Sequence, residues 1–66
     1  MIPKEELMAL IKELNKTHSL EWIADKIERS WHTVWLWSKG KRVCKLGDFE
    51  FLKQLLEKEK NGRINE

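Results

Sequence analysis

The sequence predicts an all-α fold, a single compact domain over residues 1–66 built from four to five short helices. Three observations predict it. Apolar residues recur three and four positions apart in several short rows, the spacing of one helix face. No segment alternates apolar and polar residues long enough to make a strand. The rows are separated by only a few residues each, and those breaks carry Ser, Asn and Gly where helix caps are expected. Short helices with short connections exclude a long up-and-down bundle and favour an orthogonal packing of small helices.

The elements follow in order. Pro3 suits the first turn of a helix, where its missing N–H is no loss. Leu7, Leu10, Ile11 and Leu14 then give a helix from about Pro3 to Lys16, ended by Asn15-Lys16-Thr17-His18. Ser19 is a good N-cap for a second helix, Leu20 to Ile27, with Ile23, Ala24 and Ile27 on one face. After Glu28-Arg29, Ser30 can cap a third helix from Trp31 to Lys39, which Gly40 ends in a left-handed conformation. Lys41 to Gly47 reads as loop. Gly47-Asp48 opens a last helix, with Asp48 as cap or first-turn anion. Phe49, Leu52, Leu55 and Leu56 form its apolar face, Asn61-Gly62 ends it, and the last four residues fray.

Charge is distributed unevenly. The nineteen residues from Arg29 to Gly47 carry five basic side chains (Arg29, Lys39, Lys41, Arg42 and Lys45) and no acidic one. The other eight Lys and Arg face eleven Asp and Glu, so a net charge of +2 conceals +5 in the middle and −3 elsewhere. Such a field draws a polyanion to one face. Three of the four tryptophans lie in the same window. A surface both basic and aromatic suits a nucleic acid better than a small-molecule substrate.

Other classes find little support. Cys44 is the one cysteine, so no disulfide forms within the chain. It has no zinc-ligand pattern around it and reads as a small apolar filler. A lone thiol fits a reducing compartment, the cytoplasm. No apolar run is long enough for a membrane span. His18 and His32 have no carboxylate, Ser or Cys at a spacing that suggests a triad or a metal set, so neither an enzyme nor a cofactor is expected.

Residues 19–42 read SLEWIADKIERSWHTVWLWSKGKR. Two short helices joined by a turn of about three residues form the helix-turn-helix plan, and this segment, about 19–40, resembles that of the Cro and phage-repressor (xenobiotic-response-element) family. Ser19, Ile23, Ala24, Ile27, Ser30, Thr33, Val34, Trp37, Gly40, Lys41 and Arg42 fall where the family pattern has the same residue or a close substitute. The strong resemblance covers about a third of the chain. It implies a lambda-repressor-like fold whose motif core is Ile23, Ala24, Ile27, Val34 and Trp37. It implies a sequence-specific DNA-binding regulator of transcription, with the helix at about 31–39 in the major groove of double-stranded DNA. Trp31, His32, Trp35 and Leu36 would then face the bases. Ser19, Lys39, Lys41, Arg42 and Lys45 would meet phosphates. A homodimer is implied by analogy alone.

The chain departs from the pattern at four places. Glu28 replaces the turn glycine, where a positive φ costs a non-Gly residue roughly 1 kcal/mol. Arg29 replaces the apolar turn residue, and Leu20 the Gln that bonds a phosphate. The reading face is apolar, whereas base edges are read by paired donors and acceptors. Three accounts of that face stay open. The tryptophans contact thymine methyls and sugar, with DNA shape adding specificity. Alternatively, they form a protein-interaction patch that Trp22 extends. In the third account the rings fold back over a small core.

Overall fold

A computed structural model describes residues 2–64 and shows four helices: α1 (Lys4–Asn15), α2 (Leu20–Lys26), α3 (Trp31–Ser38) and α4 (Leu46–Ile64). The expected all-α class is what the chain adopts. The helices share one core: Leu7, Ile11 and Leu14 from α1, Ile23, Ala24 and Ile27 from α2 and its end, Val34 and Trp37 from α3, then Cys44, Phe49 and Leu52. α1 packs against all three other helices, and α3 packs equally on α1 and α2. The backbone of α4 approaches that of α1 and, among the described residues, of no other helix.

Local chemistry sets the helix ends. Ser19 Oγ accepts from the Trp22 N–H at 3.1 Å, and Ser30 Oγ accepts from the Thr33 N–H at 3.2 Å. Each satisfies a donor that the first turn leaves free. α2 and α3 end in the same hydrogen-bond pattern. In α3 the Lys41 N–H reaches back to Leu36 O (3.0 Å) and the Gly40 N–H to Trp37 O (3.1 Å), with Gly40 at φ +74°. In α2 the Arg29 N–H reaches Ala24 O (2.9 Å) and the Glu28 N–H reaches Asp25 O (3.2 Å), with Glu28 at φ 57°. These paired bonds define a Schellman ending, which needs one left-handed residue. Glycine fills that position at the end of α3. Glutamate fills it at the end of α2, against the clash between Cβ and the carbonyl oxygen. At Gly40 space is short as well, because an added Cβ would lie 2.7 Å from Met8 Sδ on α1.

α4 differs from expectation at both ends. It begins at Leu46, with the Phe49 N–H donating to Lys45 O at 3.0 Å, so Gly47 is inside the first turn and does not open the helix. Asp48 remains in that turn, where the helix dipole favours an anion. At the other end the helix passes through Asn61-Gly62 to Ile64. A glycine costs helix stability but leaves helical φ and ψ accessible, so it stops a helix only where the chain turns away. Of the four residues expected to fray, Asn65 and Glu66 lie outside the described residues.

Two predictions follow from this packing. Trp37, on α3, is 3 % exposed in the shared core. Trp37→Ala is expected to cost ~3–5 kcal/mol, most of what a domain this small has, leaving it largely unfolded by circular dichroism at 25 °C. An unchanged melting temperature would exclude a core role. Glu28→Gly should relieve the left-handed strain and raise stability by about 0.5–1 kcal/mol, after the extra freedom of the unfolded chain is counted. Thermal unfolding would register this as a rise of several degrees, and a lower melting temperature would show that Glu28 is not strained.

Candidate nucleic-acid interface

α3 has an inner and an outer side. Val34 and Trp37 point into the core. Trp31, Trp35 and Lys39 form an outer row four residues apart, and His32 and Leu36 form a second row beside it. Trp31 and His32 are exposed, Trp35 and Leu36 half-buried, and Lys39 is exposed at the helix end. The Trp31 and Trp35 rings are nearly parallel, 23° apart in plane with centroids 6.3 Å apart. The His32 and Trp35 rings lie within 14° of parallel at 5.9 Å. Trp35 also borders a groove of about 390 Å³ lined by Met8, Ile11 and Leu20, with Lys12 and Lys39 at its rim. Trp35 is thus half-buried beside that groove, whereas Trp31 is not among its lining residues.

The cations continue beyond α3. Lys41, Arg42 and Lys45 are exposed in the segment that leads to α4. Arg29 is not among the free cations. Its Nε donates to Asp48 Oδ2 at 3.1 Å and its Nη2 to Oδ1 at 3.3 Å, a two-pronged pair from the α2–α3 turn to the first turn of α4. Four exposed cations remain from the acid-free window: Lys39, Lys41, Arg42 and Lys45. Ser19 Oγ, expected at a phosphate, is exposed but occupied as the cap of α2.

Trp22 takes another environment. It stacks on His18 with centroids 3.6 Å apart and planes 8° from parallel, with Lys26 Nζ 5.3 Å above the ring. It is half-buried against the core. His18 Nε2 in turn lies 2.9 Å from Glu59 Oε1 on α4. The contact is short, but no hydrogen bond forms across it. Trp22 thus covers the core beside α4 and makes its ring contact with His18, not with Trp31 or Trp35.

Sequence reasoning missed both polar links. Arg29 and Asp48 are nineteen residues apart, and His18 and Glu59 are farther apart still. No local spacing rule joins such pairs. The one signal for the first was that Arg29 stands where an apolar residue was expected, and an out-of-place charge near a core needs a partner.

Cys44 is buried in the floor of a cleft of about 200 Å³ that Arg42, Lys45 and the Arg29–Asp48 pair surround. Burial pushes its thiol above the ordinary value of 9.0 and the Asp48 carboxylate pushes it further, while its own backbone hydrogen bond partly counteracts them. The thiol therefore stays protonated near neutrality and is a poor nucleophile. Among the described residues no three His, Cys, Asp or Glu side chains gather as a metal set, and no helix is long and apolar enough to cross a membrane. No family model, curated protein or solved structure matches the chain. The fold is a small four-helix all-α domain, and a functional reading rests on its own residues.

The raised Cys44 value has a consequence for stability. The folded state holds this proton more tightly than the unfolded state does. The contribution is thus fully present below pH 9.0 and lost as the pH rises through the folded value. Urea unfolding at pH 7 and pH 10 should show the parent losing more stability than Cys44→Ala. Equal losses would rule out the thiol as the source.

Proposed function

We propose that this chain is a sequence-specific DNA-binding domain of the helix-turn-helix type, acting as a transcriptional regulator like the Cro and phage-repressor family that residues 19–42 resemble. One observation carries the reading. The outer row of α3 runs through Trp31, Trp35 and Lys39 into exposed Lys41, Arg42 and Lys45, and no carboxylate interrupts this stretch. A helix held rigidly on two others, with one face free and cations at its end, suits insertion in a groove with phosphates alongside. The tight endings of α2 and α3 and the buried Ala24 are compatible with a helix-turn-helix pair. In this reading α3 enters the major groove of double-stranded DNA, and two copies bind a pseudo-palindromic site in the cytoplasm.

A second reading, a protein-interaction module using the same face, is favoured by the 47 % exposure of Trp31 and by the exposed Val43, Leu46 and Phe51. Apolar groups left open to this extent also occur at interfaces.

Lys41→Ala with Arg42→Ala separates the two. Both side chains are exposed, so the fold should persist. The double variant should bind every duplex more weakly, and each lost phosphate contact should lower the slope of log affinity against log salt by about 0.9. Unchanged affinity and slope would remove the phosphate role. A parent protein without affinity for any duplex at low salt would favour the interaction module.

A further inference from the structure

The outer face of α3 is poorly equipped to read base edges. Recognition of an edge needs paired donors and acceptors. Trp31 and Trp35 each offer one indole N–H donor, Leu36 offers nothing, and only His32 has two ring nitrogens. What the face does offer is flat aromatic surface. Trp35 lies near-parallel to both neighbours, at 14° and 5.9 Å from His32 and at 23° and 6.3 Å from Trp31. That spacing is well beyond the 3.6 Å at which His18 and Trp22 lie face to face. The π-face of Trp22 is covered by His18, whereas the Trp31–Trp35 and His32–Trp35 pairs stack at longer range and leave Trp31 47 % exposed.

We infer that Trp31, with Trp35 and His32 beside it, stacks on a nucleobase that has left the double helix, so that the preferred DNA is a duplex carrying an unpaired base. The inference rests on the reading of α3 as the DNA-binding face and names the form of DNA that it takes. Charge decides for a nucleotide as the occupant. The row of rings ends at Lys39, and Lys41 and Arg42 follow, with no acidic residue between positions 29 and 47. Aromatic rings alongside free cations match a base and its phosphate together.

Intact duplex hides its base faces in the stack, and extrusion of a base is least costly where that base is already unpaired. Base–aromatic stacking strengthens binding on the order of tenfold per base. A bulged duplex therefore gains the contact without the cost of breaking a pair.

The test uses three labelled duplexes of one flanking sequence, measured by fluorescence anisotropy at low salt: fully paired, with one bulged adenine, and with an abasic bulge at the same position. The bulged adenine should bind about tenfold or more tighter than the paired duplex, and the abasic bulge should lose that gain. Trp31→Ala should abolish the preference and Trp31→Phe should keep most of it. Trp31→Leu, apolar but without a ring face, should not. Circular dichroism checks that the variants remain folded, as expected for an exposed residue in the first turn of α3. Equal affinity for paired and bulged duplexes would overturn the inference and leave duplex binding standing. An abasic bulge that binds as tightly as the adenine bulge would also overturn it, because backbone flexibility would then be what is read. Failure to bind any of the three would overturn the DNA-binding reading itself.

Discussion

The row Leu7, Ile11 and Leu14 on α1 is the contact on which the rest of the structure depends. All three side chains are within 1 % of complete burial. α1 is the one helix that contacts each of the other three, while α2 and α3 also pack directly on each other. In a chain of 66 residues there is little apolar surface to spare. A central helix lets one row serve three contacts. A polar residue at Ile11 would therefore loosen the contacts that α1 makes, and α3 would lose one of the two helices that support it.

Two polar links supplement this arrangement, and both act on α4. Arg29 holds Asp48 in its first turn, and His18 meets Glu59 farther along it. Neither link is worth much alone: the Arg29–Asp48 ion pair is partly exposed, and surface pairs contribute a median of about 0–1 kcal/mol. Their value here is geometric, because α4 lacks direct backbone packing on α2 and α3. The Arg29 link also sharpens the charge pattern. It neutralises one cation beside the α2–α3 turn, and the four that remain free lie at the end of α3 and after it.

Much of this was legible from local chemistry. Ser19 and Ser30 cap the helices that their positions suggested, Gly40 has the left-handed conformation expected of it, and the apolar spacing marked the buried faces of α1, α2 and α4. These features need only residues a turn or two apart. The illegible features depend on distant partners. Trp35 looks like an outward residue on a helical projection, yet Met8, Ile11 and Leu20 border the groove beside it and leave it half-buried. Trp22 looks equally available, yet His18 lies against its face. Glycine signals a break only when the chain also turns, and at Gly47 and Gly62 the chain runs on as helix, so the limits of α4 are not legible locally.

The four tryptophans occupy four different settings. Trp37 is enclosed in the core, Trp22 is covered by an imidazole, Trp35 is half-sheltered at a groove, and Trp31 stands in solvent. Indole emission depends on the polarity and the quenchers around the ring, so the spectrum of this domain is a sum of four unlike components. With three rings replaced by Phe, the survivor becomes a local optical gauge: Trp37 of core integrity, Trp22 of the His18 stack, Trp35 of the groove between α1 and α3 and Trp31 of whatever approaches the outer face.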